Sequence, residues 1–441
     1  MLESRAPASL RIAHKNFARS EIMMVSVLFK TWALMMGVLL LMIGNGLQST
    51  LIGVRGSLEN IDPSWMGYIM SAYFVGFLGG SKITPLFLMR VGHIRVFAAL
   101  GSLTSAAFIL YATFVDPVFW LLMRVVVGFC FSGLYVVAES WINDMSSNEN
   151  RGKALSLYVI VQMTGIVTGQ LLLNLADPGG YGLFVLISVL VSISFAPILL
   201  SVSPAPVFTS SRRMSLRELM AASPLGCVGI FLLGGIFSAF FGMASIYGAE
   251  KGLSVKEISW FLSSIFLGGM LMQYPVGWIS DRMDRRTLIV AMTAIACVCA
   301  LLGTTIGSSI SLLVAVAFLL GSTTNPLYAL LLAYTNDHLE AEQMASASGG
   351  LLFINGFGAM GGPIVVGYLI NNMGPNGFFF FIAVLCAMIC GYSLYRMARR
   401  EAIAVEDTNS YVPLSAGATP VAAEIATEIA IEEIEQSEVE Q

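Results

Sequence analysis

Charge is what this 441-residue chain has least of: Lys, Arg, Asp and Glu make up 11% of it, against roughly 25% in a soluble protein. A water-facing surface needs that charge, so the deficit excludes an ordinary globular domain. Histidine is scarce too, with His14, His93 and His338 all falling in predicted loops or the amino-terminal segment. No HExxH, GxSxG, P-loop or Rossmann glycine pattern stands in a context that would give it meaning. No metal, no cofactor and no nucleic-acid partner is therefore expected. The six cysteines (Cys130, Cys227, Cys297, Cys299, Cys386 and Cys390) form no CxxC pair and no disulfide framework. All lie in apolar stretches and read as small buried hydrophobes. The basic first thirty residues precede a full-length span, with no small-residue cleavage site, so no removable signal peptide is expected.

What is present is apolar: 56% hydrophobic residues, with 27 Phe, 24 Met and 43 Gly. A helix needs about 20 mostly apolar residues to cross a hydrocarbon core of roughly 30 Å. Such stretches fall at residues 32–54, 65–89, 94–114, 118–142, 152–174 and 182–202, then at 224–248, 257–280, 287–306, 310–335, 344–371 and 376–397. The expected class is an all-α membrane protein with twelve transmembrane helices. With the amino terminus inside, 18 of the 23 Lys and Arg lie on the cytoplasmic side. Only Arg55, Lys251 and Lys256 lie outside, while Lys82 and Arg124 fall within spans. That bias places both termini in the cytoplasm.

The division expected is a cytoplasmic segment at 1–31, a six-helix bundle at 32–202, a cytoplasmic linker at 203–223, a second bundle at 224–398 and a tail at 399–441. The linker is Pro- and Ser-rich and then basic, with room for a short surface helix near Leu216–Ala221. The tail holds ten acidic residues and, beyond Arg400, no basic one. Such a composition predicts a solvated segment, disordered or weakly helical.

The two halves repeat. At a shift of 193, Gly128 meets Gly321, Leu134-Tyr135 meets Leu327-Tyr328, Asn143-Asp144 meets Asn336-Asp337, and Gly165 and Gly169 meet Gly358 and Gly362. At a shift of 192, Ser71, Phe74, Gly76 and Arg90 meet Ser263, Phe266, Gly268 and Arg282. Apolar matches are cheap in membrane segments, but Asn-Asp and Arg matches in loops are not. Parallel repeats of this kind place a solute site at their interface.

These residues resemble the major facilitator superfamily, whose loop between the second and third helices of each half reads G-x-x-x-D-[RK]-x-G-x-[RK]. The second half matches at Gly277, Asp281, Arg282, Arg285 and Arg286, with Asp284 where the family has Gly. The first half departs, with Pro85 for Gly and Met89 for Asp, but keeps Arg90, Gly92 and Arg95. Arg124-x-x-x-Gly128 resembles the family's arginine motif, and Asn148 to Lys153 its next loop. Gly165-x-x-x-Gly169 is followed by Gln170, where the antiporter motif has Pro. Within the superfamily, Ala138 to Asp144 and the NENRGKALSLY run look similar to the YcaD-like bacterial branch. The resemblance implies two six-helix bundles related by a pseudo-two-fold axis. It also implies a monomeric secondary transporter in the bacterial inner membrane, working by alternating access on a small solute of unknown class and coupled to protons.

Ionisable residues inside spans are costly, about 2.5–3.5 kcal/mol on insertion scales, and so are candidates for function. Arg124 reads either as a fixed positive charge for solute or proton coupling, or as a brace for a helix end. Glu139 is the one clear intramembrane acid, so proton coupling through a buried carboxylate would fall to it first; its place near the cytoplasmic end suggests rather a gating or structural ion pair with Arg90, Arg95 or Arg151. Lys82 could serve function or snorkel to the surface. Asn45 and Gln48 share a face of the first span, Asn325 and Tyr328 one of the tenth, and Tyr135 is the repeat mate of Tyr328. Resemblance turns these helices towards a central cavity. Gln162, Gln170, Gln273 and Asn355 are expected behind it. By the same resemblance Asp281, with Arg282, Arg285 and Arg286, would gate the cytoplasmic side by touching the start of the eleventh span. An efflux pump for amphipathic compounds is the alternative; a polytopic membrane enzyme lacks an acid–base constellation here.

Overall fold

The computed structural model describes residues 8–146, 148–197, 214–307, 309–399, 403–404 and 408–439. It is helical throughout, with no strand among the described residues. The helices are α1 (Ala8–Leu58), α2 (Pro63–Val91), α3 (His93–Thr113), α4 (Pro117–Met145), α5 (Asn148–Leu172), α6 (Gly182–Ser194), α7 (Leu216–Ala222) and α8 (Pro224–Glu250). They continue as α9 (Val255–Ser280), α10 (Arg285–Thr305), α11 (Ile310–Asn336), α12 (Ala341–Met373), α13 (Asn376–Met397) and α14 (Pro420–Val439). Eleven are long and apolar enough to cross a membrane. The twelfth apolar helix, α6, is shorter, and residues 198–202 of its expected span lie outside the described residues. Local chemistry sets the ends. Asp62 and Asp116 cap α2 and α4, each just ahead of a proline at the first helical position. Ser254 and Glu257 form a capping box on α9.

The sequence repeat has a structural image in how backbones meet. A Cβ on Gly76 would lie 2.0 Å from the Val125 carbonyl, and one on Gly128 would lie 1.9 Å from that of Tyr73. Their repeat mates do the same between α9 and α11: Gly268 against Phe318 and Gly321 against Ile265. Gly169 likewise presses α5 onto Ile43 of α1, and Gly358 presses α12 onto Phe231 of α8. Small residues let membrane helices approach this closely, where van der Waals contact replaces the hydrophobic drive. Duplicated crossings make two bundles, α1–α6 and α8–α13.

The bundles meet through α2 against α12 and α5 against α9. Contact is closest towards the face carrying the loops at 59–62 and 251–254. There Gly67 abuts the Pro363 carbonyl and Gly367 that of Pro63. The Ser71 hydroxyl donates to Met360, and that of Ser259 to the Gln170 carbonyl at 2.6 Å. At the other end, the charged face with the loops at 90–95, 145–153 and 281–286, the chain's last segment lies between the bundles. Residues 408–431 are packed, and α14 has Ala422, Ala423, Ile425 and Ala426 buried. The composition predicts a solvated tail, but its acids are unevenly placed. They leave the face with Ala422, Ala426, Ile429 and Ala430 free to bury.

Two breaks in helical regularity occur. A π-helical turn covers Ala239–Met243 within α8, and α11 is interrupted at Asn325–Pro326, where proline cannot continue the backbone hydrogen bonding.

Candidate solute cavity

Between the bundles lies a space of about 720 Å³, its open end included. Tyr73, Phe74, Phe77, Phe237, Phe241 and Phe266 supply aromatic walls; Asn45, Tyr135, Gln162 and Asn355 supply polar groups. Ser415 to Ala418 of the tail form part of its wall. The π-turn of α8 carries Phe241 into this lining, and such turns recur at functional sites.

One polar chain runs from this wall into the first bundle. Asn45 Nδ2 donates to the Tyr135 hydroxyl at 2.5 Å, and Gln48 Nε2 donates to Asn45 Oδ1 at 2.9 Å. Arg124 Nη1 donates to Gln48 Oε1 at 2.7 Å. Arg124 is buried, with its second amino group on the Met70 sulfur and its guanidinium 5.6 Å from the Tyr73 ring centre. No ion pair holds it among the described residues. A buried cation without an anion is costly, and here amide dipoles, a polarizable sulfur and an aromatic face replace the carboxylate. Arg124 therefore stands one layer behind the lining. Tyr73 separates it from the cavity, a role that sequence spacing did not single out.

Several expectations change with the geometry. Glu139 is buried but meets none of Arg90, Arg95 or Arg151. It accepts from the Tyr158 hydroxyl at 3.1 Å, from the Thr419 hydroxyl and from the Ala422 amide at 3.2 Å. Arg151 reaches Glu428 of the tail at 2.8 Å, while Arg90 and Arg95 are exposed. Asn325 donates to the Ile265 carbonyl, and Tyr328 is buried with an unbonded hydroxyl. Neither lines the cavity: the Asn325 side chain is turned onto α9, and Tyr328 is enclosed among its neighbours. Gln162 and Asn355, expected behind the cavity, do line it. Lys82 is exposed on the outer surface of α2.

The gate residues also rearrange. Asp281 accepts from the Tyr411 amide at 2.9 Å rather than touching the start of α12. The strongest local pair is Arg285 with Asp337, its Nη1 at 2.6 Å from both carboxylate oxygens and both side chains buried. Arg285 also donates to Ser280 and to the Asn409 carbonyl. Burial pushes the Asp337 carboxyl above the usual carboxylate range, and Arg285 pulls it back. The repeat match of Asn336-Asp337 with Asn143-Asp144 was the available signal for this acid. Arg286 pairs with its own helix cap, Asp284, and Arg282 lies over the Trp278 ring at 4.3 Å. Burial holds the Tyr411 phenol well above its usual range, so it stays protonated and donates to Gln273 at 2.6 Å.

The family model described as Major Facilitator Superfamily matches residues 34–254 and 225–423. The chain is a member of the major facilitator superfamily. Among relatives of this superfamily protein, an MFS-type transporter named YcaD from Escherichia coli is 26% identical over 353 residues, covering 79% of this chain and 91% of the relative. Two solved transporters share the fold. The nucleoside transporter NupG aligns with a TM-score of 0.67 at 14% identity, over 84% of this chain and 98% of NupG. A bacterial homolog of the human lysosomal transporter Spinster, in an inward-facing and unoccupied conformation, aligns with a TM-score of 0.64 at 14% identity, over 92% and 98%. The facilitator described here is thus a multi-span membrane transporter, and the proteins it is similar to are transporters, not enzymes.

Proposed function

We propose that this protein is a secondary transporter that carries a small solute across the bacterial inner membrane by alternating access, coupled to protons through Glu139. One observation carries the reading: a cavity lies between two bundles that press together at one end and are separated by the tail at the other. That is one half of a rocking cycle around a midplane site. The 18-to-3 bias of basic residues assigns the charged face, and both termini, to the cytoplasm. The state described is then inward-facing, in a monomer of bundles 32–202 and 224–398.

Among the described residues the cavity wall holds no charged side chain, so the solute is neutral or amphipathic. Aromatic walls with four amide or phenol groups suit a flat ring bearing hydroxyls. Nucleosides, the solutes named for NupG, are the first class to test. The largely apolar wall also favours a second reading, export of amphipathic compounds. Glu139 is assigned the proton because it is a buried carboxylate whose partners among the described residues are all neutral donors.

The test is a thermal-shift screen of purified protein across metabolite classes, followed by liposome uptake of the hits with and without a pH gradient. Uptake that follows the gradient and becomes gradient-independent in Glu139→Gln supports the assignment. Gradient-driven uptake that survives the substitution removes Glu139 from it.

A further inference from the structure

The tail forms part of the cavity wall on the charged face, and its bonds run to both bundles. On the first, Glu139 receives Thr419 and the Ala422 amide, and Arg151 pairs with Glu428. On the second, Asp337 accepts from the Asn409 amide at 2.8 Å and Asp281 from that of Tyr411. The side-chain amide of Gln273 donates to the Leu414 carbonyl at 3.3 Å, that of Asn355 to the Ala416 carbonyl at 2.8 Å, and Ser348 meets Thr427 at 2.7 Å. Leu414, Thr419, Ala422, Ala423, Ile425 and Thr427 are each buried to within 1%.

We infer that residues 408–431 are an autoinhibitory plug, which closes the cytoplasmic mouth of the cavity and must leave before solute can enter or exit. This rests on the transport reading for what the plug regulates, but not for where the plug sits. Three features support it. The segment fills space between the bundles instead of decorating their surface. It covers Glu139, assigned above to the proton, with a hydroxyl and a helix amino-terminal amide, both donors to a carboxylate. It also binds three of the residues that the sequence marks as gates, Asp281, Arg285 and Arg151, so docking ties up the cytoplasmic charges that a closing movement would need. The bundles cannot come together on this side while the plug is seated. The plug holds one state of the cycle and blocks the other.

Tethering makes such a plug effective. Only about a dozen residues separate Met397 at the end of α13 from Asn409, and short linkers give effective concentrations in the millimolar range. A seat of modest intrinsic affinity would therefore be filled most of the time. Anything that binds the acidic stretch beyond residue 431 could draw it out.

The experiment uses the full chain in proteoliposomes or membrane vesicles with the cytoplasmic face accessible. A thiol is placed in the cavity wall by Gln162→Cys, and its reaction with a charged, membrane-impermeant maleimide is timed against the same protein without that substitution. The tail is then unseated by the pair Leu414→Asp and Ala423→Asp, which drives carboxylates into buried contacts while leaving the bundles untouched. The expected result is at least tenfold faster labelling of Cys at this position in the unseated chain. A second variant ends the chain at residue 407, and a synthetic peptide of residues 408–431 is added back. Protection should return as the peptide reaches high micromolar to millimolar levels, which also shows that the shortened protein is folded. Equal labelling in seated and unseated chains, or no protection by the peptide, overturns the plug. Faster labelling with equal, measurable solute flux in seated and unseated chains also overturns autoinhibition, whereas faster labelling with no flux in either chain counts instead against the transport reading.

Discussion

Removing one side of the Arg285–Asp337 pair tests the cytoplasmic geometry most sharply. In Asp337→Ala the guanidinium stays 2% exposed and keeps only Ser280, the Asn409 carbonyl and a long contact to Asp281 at 3.5 Å. Breaking a buried pair from one side typically costs about 3–5 kcal/mol, because an uncompensated charge remains. At roughly 2 °C per kcal/mol for a large domain, the melting temperature in detergent should fall by about 6–10 °C. Removing both charges is different: Arg285→Met with Asp337→Leu should recover most of that loss, since apolar replacements of a buried pair are often neutral. The assay is a double-mutant cycle read by thiol-dye or light-scattering melts in one detergent. Asp337→Ala melting with the parent protein, or a double variant as unstable as the two single losses added, would refute the reasoning.

Other consequences are quickly checked. Tyr135→Phe removes the acceptor for Asn45 Nδ2, and an unsatisfied buried donor should cost about 1–3 kcal/mol of stability, with weaker binding of any thermal-shift hit. Gly358→Ala puts a methyl 1.8 Å from the Phe231 carbonyl, whereas Gly361→Ala meets nothing within 4 Å; the first should express poorly or melt several degrees lower and the second should match the parent. Lys82→Met, on the outer surface of α2, should leave uptake rates within twofold. Asp281→Asn weakens the seat of Tyr411 and should speed cavity labelling without a large loss of melting temperature.

How much of this was legible in the sequence depends on where each residue's partners lie. The spans and the duplication were readable because hydrocarbon imposes a length on every helix, and because glycines at helix crossings recur with the repeat. The structure turned those matched glycines into matched backbone contacts. Asn45, Gln48 and Tyr135 were readable as one constellation from helical spacing and the repeat. Arg124 was found as a buried charge, but not its screening by Tyr73 and Met70, because those partners come from α2. Glu139 was assigned an arginine partner for lack of a closer candidate. Two of its three donors, Thr419 and Ala422, belong to a segment some 280 residues further on, and no local pattern in Ala416–Ala426 announces a binding surface. The tail's acids, when only counted, hide their arrangement: Glu424 and Glu428 share one side of α14 and leave the face with Ala422, Ala426 and Ile429 apolar up to residue 431. For Asn325 and Tyr328, spacing gives only a shared face and the family resemblance turns that face to the cavity; Pro326 interrupts the helix between them.

Transport by this protein requires two bundles that open one end as they close the other. Spin labels at Asn60 and Gly252 report separation on the opposite face, and labels at Met89 and Glu340 report it on the charged face, both by pulsed dipolar distance measurement in nanodiscs. With the tail unseated, each pair should show two distances, and conditions that lengthen one should shorten the other. A single unchanging distance at each face would contradict it.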